Sequence, residues 1–231
     1  MVTRTIVLGP AFDHLADDTE ETLVGSSFHQ DAIVTAYQCL QWYRFSHDLP
    51  WFIGNQLKLL TPRAGGRSAY SPSPDLLIHT TLGNDLRASL SVAREGPPAL
   101  IIEVLSPPTG LGTDLDAAGK LGAYAAMGVA EYLTFDPTGE IIAEQLRAWR
   151  LGPDDTYVPW EPTAAWRWQS TLGIAFAPQG RQLRVFDEAG APIPRYDEIA
   201  IRVREQERMQ AAQERENAAL RAELERLRDK Q

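Results

Sequence analysis

Apolar and polar positions follow three different rhythms along this 231-residue chain. In "SSFHQDAIVTAYQCLQWYRFSHD", residues 26–48, Ile33, Tyr37, Leu40 and Trp42 recur at roughly helical spacing, and Ser26 or Ser27 can cap the first turn. "WFIGNQLKLLTP", 51–62, reads as one strand ended by Pro62. The polar, glycine- and proline-rich "RAGGRSAYSPSP" that follows is a loop. "DLLIHT" predicts a short strand directly after Pro74, and residues 81–96 fit neither period. "ALIIEVLS", 99–106, is apolar on both strand faces and predicts the most buried strand of a sheet. Pro107, Pro108 and Gly110 make a turn. Thr113 or Asp114 then caps a helix through "LDAAGKLGAYAAMG", with Gly128 as its stop. "AEYLTFDPTG" follows as strand and turn. Strand, helix and strand in this order predict a right-handed crossover onto a mixed sheet.

The later chain changes character twice. Residues 140–194 read as short strands separated by Gly, Pro and Asp turns, and carry Trp149, Trp160, Trp166 and Trp168. These tryptophans either pack onto the sheet or offer an aromatic platform to bases. From about Tyr196, Ile199, Val203, Gln206, Gln210, Gln213, Asn217, Leu220, Leu224 and Leu227 step alternately by four and three, a heptad ladder that is polar in its middle. With 203, 210, 217 and 224 at position a, a parallel pair of such helices sets Arg202 against Glu207, Glu216 against Arg221 and Glu223 against Arg228. All three pairs attract. This favours a parallel coiled coil and a homodimer, with Asn217 as a register device; the competing expectation is a solitary charged helix. The expected organisation is an N-terminal arm over 1–25, a folded domain over 26–195 and a C-terminal helix over 196–231.

Composition narrows the classes. At 44% hydrophobic residues the chain can bury a core. The single cysteine, Cys39, excludes a disulfide framework and a cysteine-rich zinc site. Its place mid-helix among apolar residues predicts a core position. With no signal-peptide pattern, cysteine usage points to the cytoplasm, and no apolar window is long enough to span a membrane. The net charge of −9 argues mildly against a dedicated nucleic-acid binder.

The chemistry centres on one anomaly. Glu103 interrupts the apolar run Ala99–Leu105, and an ionised carboxylate there is costly unless something neutralises or coordinates it. Phosphate-loop explanations fail. Leu115 stands where GxGxxG needs its third glycine, and the Gly119–Lys120 pair lacks the upstream glycine and the following Ser or Thr of a P-loop. There is no GxSxG, HxxxH or HExxH motif. His79 shares a strand face with Asp75 but is expected at an exposed edge. The remaining candidate is a carboxylate–lysine set. Asp75 opens one strand and Glu103 lies in the next, which suits hard oxygen ligation of Mg2+ or Mn2+, with the Val104 carbonyl completing the protein's share. Lys120, one of only three lysines, lies on the following helix among small and apolar residues that would let the helix approach the sheet closely. A plain Glu103–Lys120 salt bridge is the competing explanation.

The segments "SPDLLIH", "ALIIEVLSPPTG" and "DLDAAGKLGAYAAMGVAEYLTFDP" resemble the Uma2 family of PD-(D/E)XK nuclease-like proteins. "SSFHQDAIVTAYQCLQWY" looks like the family's first helix. The resemblance implies an α/β restriction-endonuclease-like fold: a central mixed β-sheet flanked by helices, here with extra C-terminal strands and a long C-terminal helix. It implies metal-dependent phosphodiester hydrolysis with nucleic acid, expected to be DNA, as substrate. Asp75 and Glu103 would hold Mg2+ or Mn2+ and Lys120 would be the catalytic lysine. The E-x-K spacing of the wider pattern is missing, because Leu105 stands two residues after Glu103; the helix must supply the lysine instead. Tyr124, one turn from Lys120, Gln56 and Asp114 are supporting candidates. The alternative expectation is a catalytically silent nuclease fold that acts as an interaction module through its coiled-coil tail.

Overall fold

A computed structural model describes residues 27–61, 71–106 and 113–229, with the side chains of 113–118 excepted. The expected N-terminal arm and the turn at Pro107 and Pro108 lie outside the described residues.

Among the described residues, six strands form the main sheet, in the order β1 (Phe52–Asn55), β3 (Leu76–His79), β5 (Leu100–Val104), β6 (Glu131–Phe135), β7 (Leu146–Leu151) and β8 (Tyr157–Pro159). Only β5 and β6 are parallel; the other neighbours are antiparallel. A parallel pair needs a crossover, and α3 (Thr113–Met127) supplies it. Gly128 ends α3 at a φ of 81°, a left-handed stop that a side chain would strain. β5 and β6 sit at the centre, and all ten of their residues are buried. This is why their sequences carry no polar alternation.

The two sheet faces have separate cores. Leu76, Ile78, Leu100, Ile102, Leu133 and Phe135 meet helix α1 (Ser27–Ser46) and a small antiparallel sheet of β9 (Trp168–Gln169), β10 (Ala175–Gln179) and β11 (Gln182–Phe186). Leu77, Ile101 and Tyr132 meet Tyr124 of α3 on the opposite face. Cys39 is buried within the first core, as its apolar setting suggests, and lies near the carbonyls of Ile193 and Pro194. Trp160 and Trp168 are core residues and Trp149 stacks on Tyr132, while Trp166 stays exposed.

Two expectations need correction. Residues 51–62 are two strands: the chain turns at Gln56, whose φ is 48°, and β2 (Lys58–Leu60) leaves the main sheet to pair in parallel with β4 (Ser89–Ser91). The ambiguous 81–96 region thus holds β4 and the short helix α2 (Val92–Glu95). His79 is buried, not on an exposed edge, because β3 is flanked on both sides; its Nε2 lies 2.9 Å from the Glu95 carbonyl.

The C-terminal helix α4 (Tyr196–Arg228) is continuous, and every residue from Ile201 to Asp229 is exposed. Beyond Ala200 it does not lie on its own domain.

Candidate active site

Strand register assembles the site. β3 pairs with β5 through Leu76–Ile102 and Leu77–Ile101. One step further, Asp75 falls opposite Glu103, and directly opposed antiparallel residues share a face. Glu103 is in turn paired with Thr134 of β6. On the other side, the Gln56 amide donates to the Asp75 carbonyl at 3.1 Å. One polar row, Gln56–Asp75–Glu103–Thr134, therefore crosses the sheet. The apolar row Leu77–Ile101–Tyr132 lies beside it on the α3 face.

Glu103 is 4% exposed. Its Oε1 accepts a 2.6 Å hydrogen bond from the Tyr124 hydroxyl, and its Oε2 lies 3.5 Å from Lys120 Nζ. Burial pushes its pKa up to about 7; the Asp75 charge adds to this, and Lys120 and Tyr124 oppose it. Lys120 and Tyr124 are four residues apart, so both project from one face of α3. The salt bridge anticipated as a competing explanation is present, but it leaves the carboxylate still hard to ionise. The close-packing reason expected for Lys120 is not the observed one. A Cβ on Gly119 or Gly122 would meet nothing within 4 Å, and it is Tyr124, fully buried, that seats this face of the helix.

Asp75 is held by other donors. Its Oδ2 accepts from the Val104 amide at 2.8 Å, and its Oδ1 lies 3.5 Å from His29 Nε2. The hydrogen bond to Asp75 raises the His29 pKa; burial opposes it, and the Asp75 charge, the Val104 backbone and the Glu103 charge add to it. Strand geometry turns the Val104 peptide groups towards the same place. Leu105 donates to Phe135 of β6, so the intervening Val104 directs its peptide groups away from β6, towards Asp75.

The structure thus brings together Asp75, Glu103, Val104, Lys120 and Tyr124. Gln56 is joined to the row through its backbone, with its side chain exposed. The side chain of Asp114 lies outside the described residues. Sequence reasoning missed His29, on α1, and Thr134, whose buried hydroxyl has no hydrogen-bond partner among the described residues. No period or spacing links either to Asp75. A polar residue inside the apolar stretch of β6 was the only signal for Thr134.

As a cation site, the donors fit in kind: two carboxylates and a carbonyl, with Glu103 paying for burial that a cation would relieve. Among the described residues no three His, Cys, Asp or Glu side chains already form a cluster able to hold a metal. Two protein carboxylates with the remaining positions open is a normal arrangement for Mg2+. A separate cavity of about 650 Å³, lined by Phe28, Asp31, Arg184, Arg195 and Glu198 among others, contains none of these site residues.

Paired carboxylates at one end of a mixed sheet, with a lysine of the crossover helix beside Glu103, sit in a mixed α/β fold. The model of the Uma2 family, described as "Putative restriction endonuclease", matches residues 15–186, and the chain belongs to that family. A crystallised protein described as a putative nuclease of DUF820, from Anabaena variabilis ATCC 29413, is 14% identical; the match covers 73% of this chain and 72% of that one, with a TM-score of 0.37. The chain finds no match among curated proteins. Among the described residues, no helix is long and apolar enough to cross a membrane.

Proposed function

We propose that this chain is a Mg2+- or Mn2+-dependent endonuclease that hydrolyses phosphodiester bonds, with DNA as substrate. The observation that carries this reading is the opposed pair Asp75 and Glu103, with Lys120 3.5 Å from Glu103. Asp75, Glu103 and the Val104 carbonyl would hold the cation, which supplies Lewis-acid charge at the phosphoryl oxygen and lowers the pKa of water. Lys120, a quarter exposed, reaches from the site to solvent and stabilises charge developing on the phosphate. Tyr124 fixes the Glu103 carboxylate, so that one oxygen remains turned towards Lys120. The parallel coiled coil of α4 would pair two copies and so present two sites to two strands.

The bare, charged α4 and the net charge of −9 favour a second reading, a silent nuclease fold that works as an interaction module. One assay separates the two. Purified protein is incubated with supercoiled, linear and single-stranded DNA plus Mn2+ or Mg2+, beside Lys120→Met and Glu103→Ala. Cleavage by the wild type, reduced on the order of 100-fold or more in Lys120→Met, supports the enzyme. Equal inertness of all three proteins, with no metal bound, removes it.

A further inference from the structure

His29 comes from outside the strand–helix–strand unit that supplies the other site residues. It lies in the first turn of α1, with its side chain 13% exposed. The Val104 amide occupies Asp75 Oδ2, which leaves Oδ1 turned to the imidazole. A ring nitrogen and a carboxylate oxygen therefore face each other beside the Val104 backbone and Glu103. The 3.5 Å separation of His29 Nε2 and Asp75 Oδ1 is at the long limit of a hydrogen bond. Two donors each about 2.1 Å from a shared ion stand roughly 3.0 to 3.4 Å apart at right-angled to tetrahedral geometry.

We propose that His29 is a nitrogen ligand of the cation and makes this site prefer a transition ion of the Mn2+ type over Mg2+. The proposal rests on the metal-dependent reading above. Imidazole suits first-row transition ions, whereas Mg2+ prefers oxygen and sheds water reluctantly. Glu103 is held towards α3 by Tyr124 and Lys120, which accounts for the lack of a closed three-side-chain cluster. His29 and Asp75 are the donors already together, and Glu103 would complete the set.

The test is direct binding of Mn2+ and of Mg2+ to the full chain by calorimetry, for wild type, His29→Ala, His29→Gln and Asp75→Ala. Folding is checked by circular dichroism in chelator. His29→Gln keeps a hydrogen-bonding side chain beside Asp75 but removes the nitrogen ligand, so it serves if the alanine variant fails to fold. The expected result is a loss of about ten-fold or more in Mn2+ affinity in the His29 variants, with little change for Mg2+, so that the preference collapses. Cobalt-loaded wild type should also lose its visible absorption pattern on His29→Gln. An unchanged Mn2+ to Mg2+ ratio, or an equal loss for both ions, overturns the proposal and leaves His29 a positioning residue. Binding abolished by Asp75→Ala but untouched in the His29 variants sinks this inference alone. Absence of any binding to the wild type sinks the metal-dependent reading itself.

Discussion

The Tyr124 hydroxyl donates to Glu103 Oε1 across 2.6 Å, between two side chains that water hardly reaches. A buried carboxylate that loses a donor bears its desolvation penalty. Tyr124→Phe removes only the oxygen and keeps the ring that packs on Tyr132. Urea unfolding at pH 8 should show a loss of about 1 to 3 kcal/mol. Because the Tyr124 bond holds the Glu103 pKa down, the variant should also raise it further. A midpoint unchanged at pH 8 would show that this bond contributes nothing.

Glu103 also makes stability depend on pH. Its folded pKa of about 7 exceeds the ordinary 4.5, so between these values the folded chain keeps a proton that the unfolded chain releases. Stability from this group is full below about pH 4.5 and is lost as pH rises through 7. The full span is on the order of 3 kcal/mol. In chelator, wild type should weaken relative to Glu103→Gln from pH 5 to pH 8. Parallel curves for the two proteins across that range would refute it.

These two residues also mark what the sequence made legible. Glu103 stood out because a charge in an apolar run has few explanations, and Asp75 because it opens the neighbouring strand. The crossover helix was legible from its caps, and it carried Lys120 and Tyr124 with it. His29 was not, because its approach to Asp75 depends on how α1 passes the end of β3 and β5, a tertiary relation with no local period. The break at Gln56 was hidden for a different reason. Apolar runs lie on both sides of Gly54–Gln56, and a single left-handed backbone angle splits what otherwise reads as one strand. The buried position of His79 depended on strand order, which hydropathy does not encode.

Glu131 anchors the far side of the fold. It is 1% exposed and accepts from Arg150 Nε at 3.2 Å, from the Thr171 amide at 2.9 Å and from the Ser170 hydroxyl. Arg150 also covers the Trp160 ring, with its guanidinium carbon 4.2 Å from the centroid. Removing one partner of a buried pair strands the other charge. Ser170 and Thr171 remain as donors and Arg150 is partly exposed, so Arg150→Met should cost about 2 to 3 kcal/mol, at the low end of such losses. Denaturant unfolding measures this. If Arg150→Met and Arg150→Met/Glu131→Gln prove as stable as wild type, the pair is ornamental to the fold.

α4 allows folding and assembly to be tested separately. Its first turn is tied down: Glu198 accepts from Arg184 at 2.9 Å and from the Arg195 amide at 3.0 Å. From Ile201 to Asp229 every side chain is exposed, including Val203, Leu220, Leu224 and Leu227 of the ladder. An isolated helix with exposed apolar positions gains little from its own chain, whereas a parallel partner would cover that seam and match Arg202, Glu216 and Glu223 with opposite charges. Truncation after residue 200 should therefore leave the unfolding midpoint of the folded unit nearly unchanged and convert a dimer to a monomer. Asn217→Leu should tighten association and loosen its register, because a polar a position trades stability for specificity. Sedimentation equilibrium of the three proteins decides the matter. If wild type and truncated chain both sediment as monomers at tens of micromolar, α4 does not pair copies of this chain, and its apolar ladder must be explained by a different partner.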